Sequence, residues 1–202
     1  EHMAFKGTTK RKAYHILNRM ESLGGELNAY TTKEKICFYA SILDQHLNKA
    51  VELISDITFN STFPEKQIER ERGVILEEMA LYRDTPEDSL QDDFDEILFQ
   101  NHSLGKNILG TEETVSSFQK EDLRKFIAKN IDTSKVILSS VGNYSLNKIV
   151  KLAEKYLENI PESKTDRKRN DFIGYQPIII NVDKSIIQSH CAIGRTTYPL
   201  SL

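Results

Sequence analysis

Apolar positions along residues 9–23 (TKRKAYHILNRMESL) recur at the three-and-four spacing of an amphipathic helix, and Gly24-Gly25 closes it. The period then changes. Residues 27–32 are short and polar-edged. Across 35–43 (KICFYASIL), Ile36, Phe38, Ala40 and Ile42 alternate with Cys37, Tyr39 and Ser41, so the two segments predict a strand pair. Asp44 is placed to cap a helix with Leu47, Ala50, Val51, Ile54 and Ile57 on one face, ending near Asn60. Pro64 opens a helix over about 65–84, and Pro86 stops it. Further helices are predicted over about 87–100, 121–130 and 146–160. Residues 134–142 (SKVILSSVG), 178–182 and 186–194 read as strands. Residues 101–110 (NHSLGKNILG) are turn-rich, and 162–171 (ESKTDRKRND) form a polar linker. Helices and strands in this mixture, with a hairpin, predict an α+β layer fold.

Composition narrows the function classes. The chain has 202 residues, 39% hydrophobic and 28% charged, enough for one domain with a real core or somewhat more. A net charge of −3 gives no global field for nucleic acid. Basic runs at 6–12 and 164–169 are not interleaved with stacking aromatics and read as solvated charge. Cys37 and Cys191 are too few for a disulfide framework and fit a reducing compartment. No stretch reaches the roughly 18 apolar residues of a membrane span. No nucleic-acid or membrane partner is expected, and the compartments considered are cytoplasm first, then periplasm or an organelle matrix.

The helix at 65–84 holds an anomaly. At 100° per residue with Ile68 at zero, Ile75, Met79 and Tyr82 fall within about 40° of it, and Val74 and Leu81 near 240° and 220°. Glu71 and Glu78 lie near 300° and 280°, inside this apolar arc, whereas Glu77 points to the solvent side at about 180°. Burying two carboxylates is costly unless a cation or strong donors meet them. A metal ion would serve, and so would an arginine such as Arg70 or Arg72.

The chain begins Glu1-His2, the pair on which an HxxEH motif ends. On a helix the two histidines of that motif are i and i+4, and the intervening glutamate can reach a metal-bound water. Four stretches now stand in order: EHMAFKGT at the start, GGELNAYTTKE (24–34), ERGVILEEM (71–79) and NHSLGKNILGTEET (101–114). Together they resemble the M16 family of inverzincin zinc metallopeptidases, which includes pitrilysin, insulin-degrading enzyme and the mitochondrial processing peptidase. The likeness runs from Glu1 to about Gly142, and more loosely beyond.

This resemblance implies an N-terminal catalytic domain of the family: a two-layer sandwich of a mixed, largely antiparallel sheet with helices packed on one face. Residues 1–161 would form the catalytic-domain core, truncated at its N-terminus, 162–171 a linker, and 172–202 the incomplete second part of the same domain. It implies Zn(2+) as cofactor and hydrolysis of extended peptides through a zinc-bound water. Glu1 is then similar to the general base, His2 to the second histidine ligand, Glu78 to the glutamate ligand, and Glu71 to the carboxylate that orients the site. Phe5 matches a residue of the substrate-side pocket, and Asn28 and Ala29 the edge strand on which peptide is added. The first histidine ligand would lie three residues before Glu1, so the stretch itself is expected to bind zinc weakly and to be inactive. The expected partners are a peptide substrate and a second homologous half or partner subunit. The alternative is a non-catalytic subunit of the same fold, although such a subunit has little reason to keep Glu1, His2, Glu71 and Glu78 together. His15, His46 and His190 match no motif, and His102 is expected to pack.

Overall fold

A computed structural model describes residues 1–166 and 168–197, so residue 167 of the linker and residues 198–202 of the final segment lie outside the described residues. The chain divides into two compact units: Glu1–Glu71 with the segment beginning at Phe118, and Arg72–Ser117 with the segment beginning at Lys168.

In the first unit, a 3-10 turn at His2–Phe5 precedes α1 (Ala13–Glu21). Helix α1 ends on Gly24, whose φ of 69° is the left-handed value that glycine adopts at least cost. The Gly25 N–H reaches Met20 O (3.0 Å) and the Gly24 N–H reaches Glu21 O (2.9 Å), the two bonds of a Schellman ending. This turn leads into the antiparallel pair β1 (Glu26–Thr31) and β2 (Ile36–Ser41), with Ala29 opposite Phe38 and Thr31 opposite Ile36. Helix α2 (Leu47–Phe59) follows a 3-10 turn at Asp44–His46. Helix α3 (Glu65–Asp84) runs from the first unit into the second.

The core of this unit is Ala4, Ile16, Met20, Ala50, Leu53 and Ile57, with Leu27, Phe38 and Ala40 of the hairpin packed against it. Leu53 is fully buried where the sequence pattern placed Ile54 on the inner face, and Ile54 is only half-buried. A second cluster joins Met3, Phe63 and Ile68 to Leu123 and Ile127. Helix α2 also carries buried charge. Asp56 accepts from the Thr8 hydroxyl (2.8 Å), Arg11 Nη1 (2.6 Å) and Asn60 Nδ2 (3.2 Å), while Arg11 Nη2 donates to Glu52 (2.6 Å). Burial works against the Arg11 charge, but the bonds to Glu52 and Asp56 outweigh it and hold the guanidinium above its ordinary pKa.

The second unit contains the rest of α3, α4 (Pro86–Leu98) and α5 (Glu112–Ser117). Pro86 at the first position of α4 both ends α3 and starts α4. The turn-rich stretch after α4 includes a 3-10 turn at Ser103–Gly105, where a Cβ on Gly105 would stand 2.6 Å from Phe99 O. His102 packs as the sequence predicts: its ring lies edge-on to Phe172 (5.7 Å), Nδ1 accepts from Leu104 N–H (3.2 Å), and Nε2 is left to donate to Asn170 O (2.9 Å). Helix α5 was not anticipated. Its signal is Thr111 and Thr114, whose hydroxyls each accept the other's backbone N–H, with Glu112 and Glu113 in the first turn.

In the first unit, α6 (Lys120–Asn130) opens on a capping box between Gln119 and Asp122. Helix α7 (Leu146–Leu157) lies against α2, where Tyr156 Oη donates to Asn48 Oδ1 (2.9 Å). The start of the predicted linker is tied down, since Thr133 N–H reaches Ser163 O (2.8 Å).

The predicted strands at 134–142, 178–182 and 186–194 do not form. Among the described residues the sheet is the two-stranded pair alone. Thr133–Lys135 is a 3-10 turn, and Val141 and Ile187 stand 96% and 105% exposed. Alternating β-branched residues favour extended backbone, but a strand also needs a neighbour's N–H and C=O groups and a surface to bury its apolar face. The wider sheet expected of a sandwich is therefore not seen, although helices beside an antiparallel hairpin keep the α+β class. No helix is long and apolar enough to cross a membrane among the described residues.

Candidate metal centre

Met3 and Ala4 anchor the 3-10 turn by entering one core cluster each, and Ala4 N–H closes on Glu1 O (2.9 Å). With these two side chains turned inward, His2 and Lys6 flank a carboxylate of α3. His2 Nδ1 lies 3.2 Å from Glu71 Oε2, and Lys6 Nζ lies 2.7 Å from Glu71 Oε1. The Glu71 side chain is 9% exposed, and each of its oxygens meets a different donor. Burial of Glu71 is thus matched by His2 and Lys6, not by Arg70 or Arg72; Arg72 Nε donates to Val115 O (3.3 Å). Because a carboxylate accepts, Nδ1 donates, and in the neutral ring this tautomer puts the lone pair on Nε2. A metal-ligating histidine is commonly oriented in this way.

Glu1 is exposed, and its carboxylate accepts from the Thr31 hydroxyl at the end of β1. Glu78 lies two turns beyond Glu71 on the same helix, half-buried, in the second unit, whereas Glu77 is exposed. Val74 and Leu81, placed by the helical wheel in the apolar arc, are exposed, because that edge of α3 is not covered by other described residues. Phe5 packs edge-on against Phe38 of β2 (6.1 Å) and so sits on the hydrophobic core. Asn28 Oδ1 accepts the Ala29 N–H (2.8 Å), and Asn28 Nδ2 approaches Glu26 (3.3 Å). Among the described residues, no three of His, Cys, Asp or Glu are grouped to hold a metal.

The structure therefore brings His2 and Glu71 into contact, while the carboxylate of Glu1, the next residue in sequence, is bonded to Thr31 in the same unit. Sequence reasoning missed Lys6 and Thr31. Lys6 stands one helical turn beyond His2, which was a readable signal; Thr31 joins the site only through the hairpin's path, which no local pattern discloses.

Comparison with known proteins agrees with these motifs. Residues 1–112 match the family model described as insulinase, peptidase family M16. The chain belongs to the M16 peptidase family. Residues 117–202 match the M16 inactive-domain model. The uncharacterized zinc protease YmxG of Bacillus subtilis is 40% identical over 156 residues, 77% of this chain and 38% of that protein. The M16 chain spans about two fifths of the length of the curated relatives it matches. Two solved structures share its fold. One is a protease from Helicobacter pylori, with a TM-score of 0.74 at 23% identity, covering 86% of this chain and 42% of that one. The other is a peptidase M16 inactive domain from Pseudomonas fluorescens, with a TM-score of 0.75 at 16% identity, covering 86% and 43%.

Proposed function

We propose that this chain carries part of the site of a zinc-dependent endopeptidase that hydrolyses extended peptides. The supporting observation is the Lys6–Glu71–His2 arrangement, in which a buried carboxylate holds a histidine by Nδ1. His2 and Glu78 would hold the metal, and an imidazole with a carboxylate suits zinc. Zinc supplies a polarised carbonyl and a water of lowered pKa when bound. Glu1 acts as general base and hands the proton on to the leaving amine, its carboxylate steadied by Thr31. Phe5 shapes the substrate side from its seat on Phe38. Peptide adds along β1 at Asn28 and Ala29, where a substrate carbonyl replaces Asn28 Oδ1 on the Ala29 N–H. The sandwich with further strands belongs to the same proposal for the whole protein, as does a second homologous half or partner subunit.

A second reading, a non-catalytic partner subunit, is favoured by the match of residues 117–202 to the inactive-domain model and by the Pseudomonas neighbour. The two are separated by zinc content and by cleavage of an unstructured fluorogenic peptide, measured on the full-length protein and its Glu1→Gln variant. The peptidase reading expects stoichiometric zinc in both proteins and a loss of roughly 10²–10⁴-fold in rate in the variant. A folded full-length protein with neither zinc nor cleavage favours the partner subunit.

A further inference from the structure

A cleft of about 280 Å³ lies between α1 and α2, away from the residues of the proposed peptidase site. It is lined by Arg11, His15, Asn18, Arg19, Ser22 and Lys49, and also by Leu23. Of the acidic groups nearby, Asp56 and Glu52 Oε1 are held by Arg11, and Glu52 Oε2 lies 2.7 Å from Arg19 Nη2 as an ion pair, buried and without a hydrogen bond. Three cations against these two carboxylates leave one positive charge, and it falls on Lys49. That ammonium has no carboxylate partner among the described residues. The Arg19 Nε–H is buried with no hydrogen-bond acceptor among the described residues. An unsatisfied buried donor beside an uncompensated cation is costly unless an acceptor with negative charge joins them. The cleft adds further donors, the Asn18 amide, the Ser22 hydroxyl and the His15 imidazole, and no carboxylate lines it.

We propose that this cleft binds a phosphate oxyanion, free or as a small monoester, with Lys49 and Arg19 Nε as its charged donors. A tetrahedral oxyanion directs more acceptor oxygens than a carboxylate, and in more directions, so it meets more of these groups at once, and charge-assisted bonds of this kind are the strong ones. The volume leaves room for more than a bare phosphate, a single water occupying about 30 Å³ of liquid. The proposal is independent of the peptidase reading.

The test is titration calorimetry on the protein in a phosphate-free buffer of low ionic strength, with inorganic phosphate, phenyl phosphate and acetate as probes. Lys49→Met removes the spare cation. Arg19→Lys keeps a cation for Glu52 and removes Nε. Lys129→Met, on α6, is the control for net charge. Both phosphates are expected to bind, each about tenfold more weakly in Lys49→Met and in Arg19→Lys, the loss of one charge-assisted bond, and unchanged in Lys129→Met. Tighter binding of phenyl phosphate assigns the site to monoesters, and equal binding assigns it to free phosphate. Three results each overturn the proposal: no binding in the millimolar range, acetate bound as well as phosphate, or unchanged affinity in both cleft variants of circular dichroism equal to the parent.

Discussion

Replacing Asp56 by alanine removes the carboxylate on which Thr8, Arg11 and Asn60 converge, at 2.8, 2.6 and 3.2 Å, in a side chain only 2% exposed. Breaking a buried ion pair from one side costs about 3–5 kcal/mol, because the surviving charge stays desolvated. Arg11 retains Glu52 at 2.6 Å and is partly open to solvent, so the arginine is not stranded. The low end therefore applies, about 3 kcal/mol, with the loss of the Thr8 bond contained in it. Against a total stability of about 5–15 kcal/mol this is a large fraction, yet a folded variant is expected. Urea unfolding followed by circular dichroism measures it, and an unchanged m-value certifies that the same surface unfolds. The double variant Arg11→Met with Asp56→Leu should recover most of the loss, since it leaves no unpaired charge. A cost below about 1 kcal/mol for Asp56→Ala, the range of exposed pairs, would refute the claim that this pair behaves as buried.

The Schellman turn gives a second outcome. A Cβ on Gly24 meets nothing within 4 Å, so Gly24→Ala should cost only the left-handed backbone penalty of about 1 kcal/mol, read by the same urea titration. Asp132 provides a pH test. Hydrogen bonds from Ser134, then Lys135 and the backbone of Thr165 and Ser134, overcome desolvation and lower its carboxyl to about 2 in the folded protein. A depressed folded pKa contributes stability above the unfolded value, near 3.9, that disappears as pH falls toward 2. Wild type should therefore unfold at higher urea than Asp132→Asn at pH 6, and the two midpoints should converge between pH 4 and 2; parallel curves across that window would count against the assignment.

The sequence discloses those elements whose cause is local. Helix α3 appears over the predicted 65–84 because Pro64 and Pro86 bound it, and α1 stops at the Gly24-Gly25 pair that closes a Schellman turn. Glu71 was singled out by its angle on the helix and is buried, whereas Val74 and Leu81 share the same arc and are exposed. Angle tells which residues share a face; it does not tell how far a neighbour extends over that face. The same limit explains 134–142, 178–182 and 186–194, which the alternation predicts as strands and which stay unpaired among the described residues. Pairing is a property of two segments, and only one of them is present in the pattern. Thr31 illustrates the converse, as its contact with Glu1 spans 30 residues of sequence, whereas Lys6, whose partner Glu71 is 65 residues away, at least stands one helical turn beyond His2.

The basic run at 6–12 shows how such long-range contacts change the meaning of a local pattern. By composition it reads as solvated charge, without interleaved aromatics on which bases could stack, and no task is assigned to it. In the structure two of its four cations are cross-links: Lys6 to Glu71 of α3, and Arg11 to Glu52 and Asp56 of α2. Between them, Thr8 gives its hydroxyl to Asp56 and its N–H to Arg11 O (2.8 Å), and Gly7 O accepts from Thr62 N–H (3.1 Å). Six residues are thus fixed at both ends by ion pairs and in the middle by backbone. His2, which directly precedes them, shares Glu71 with Lys6. The position of its ring is set by the same cross-links that hold α2 and α3 to this segment, so Lys6 and Arg11 serve to place a histidine, while Lys10 and Lys12 present their charge to solvent.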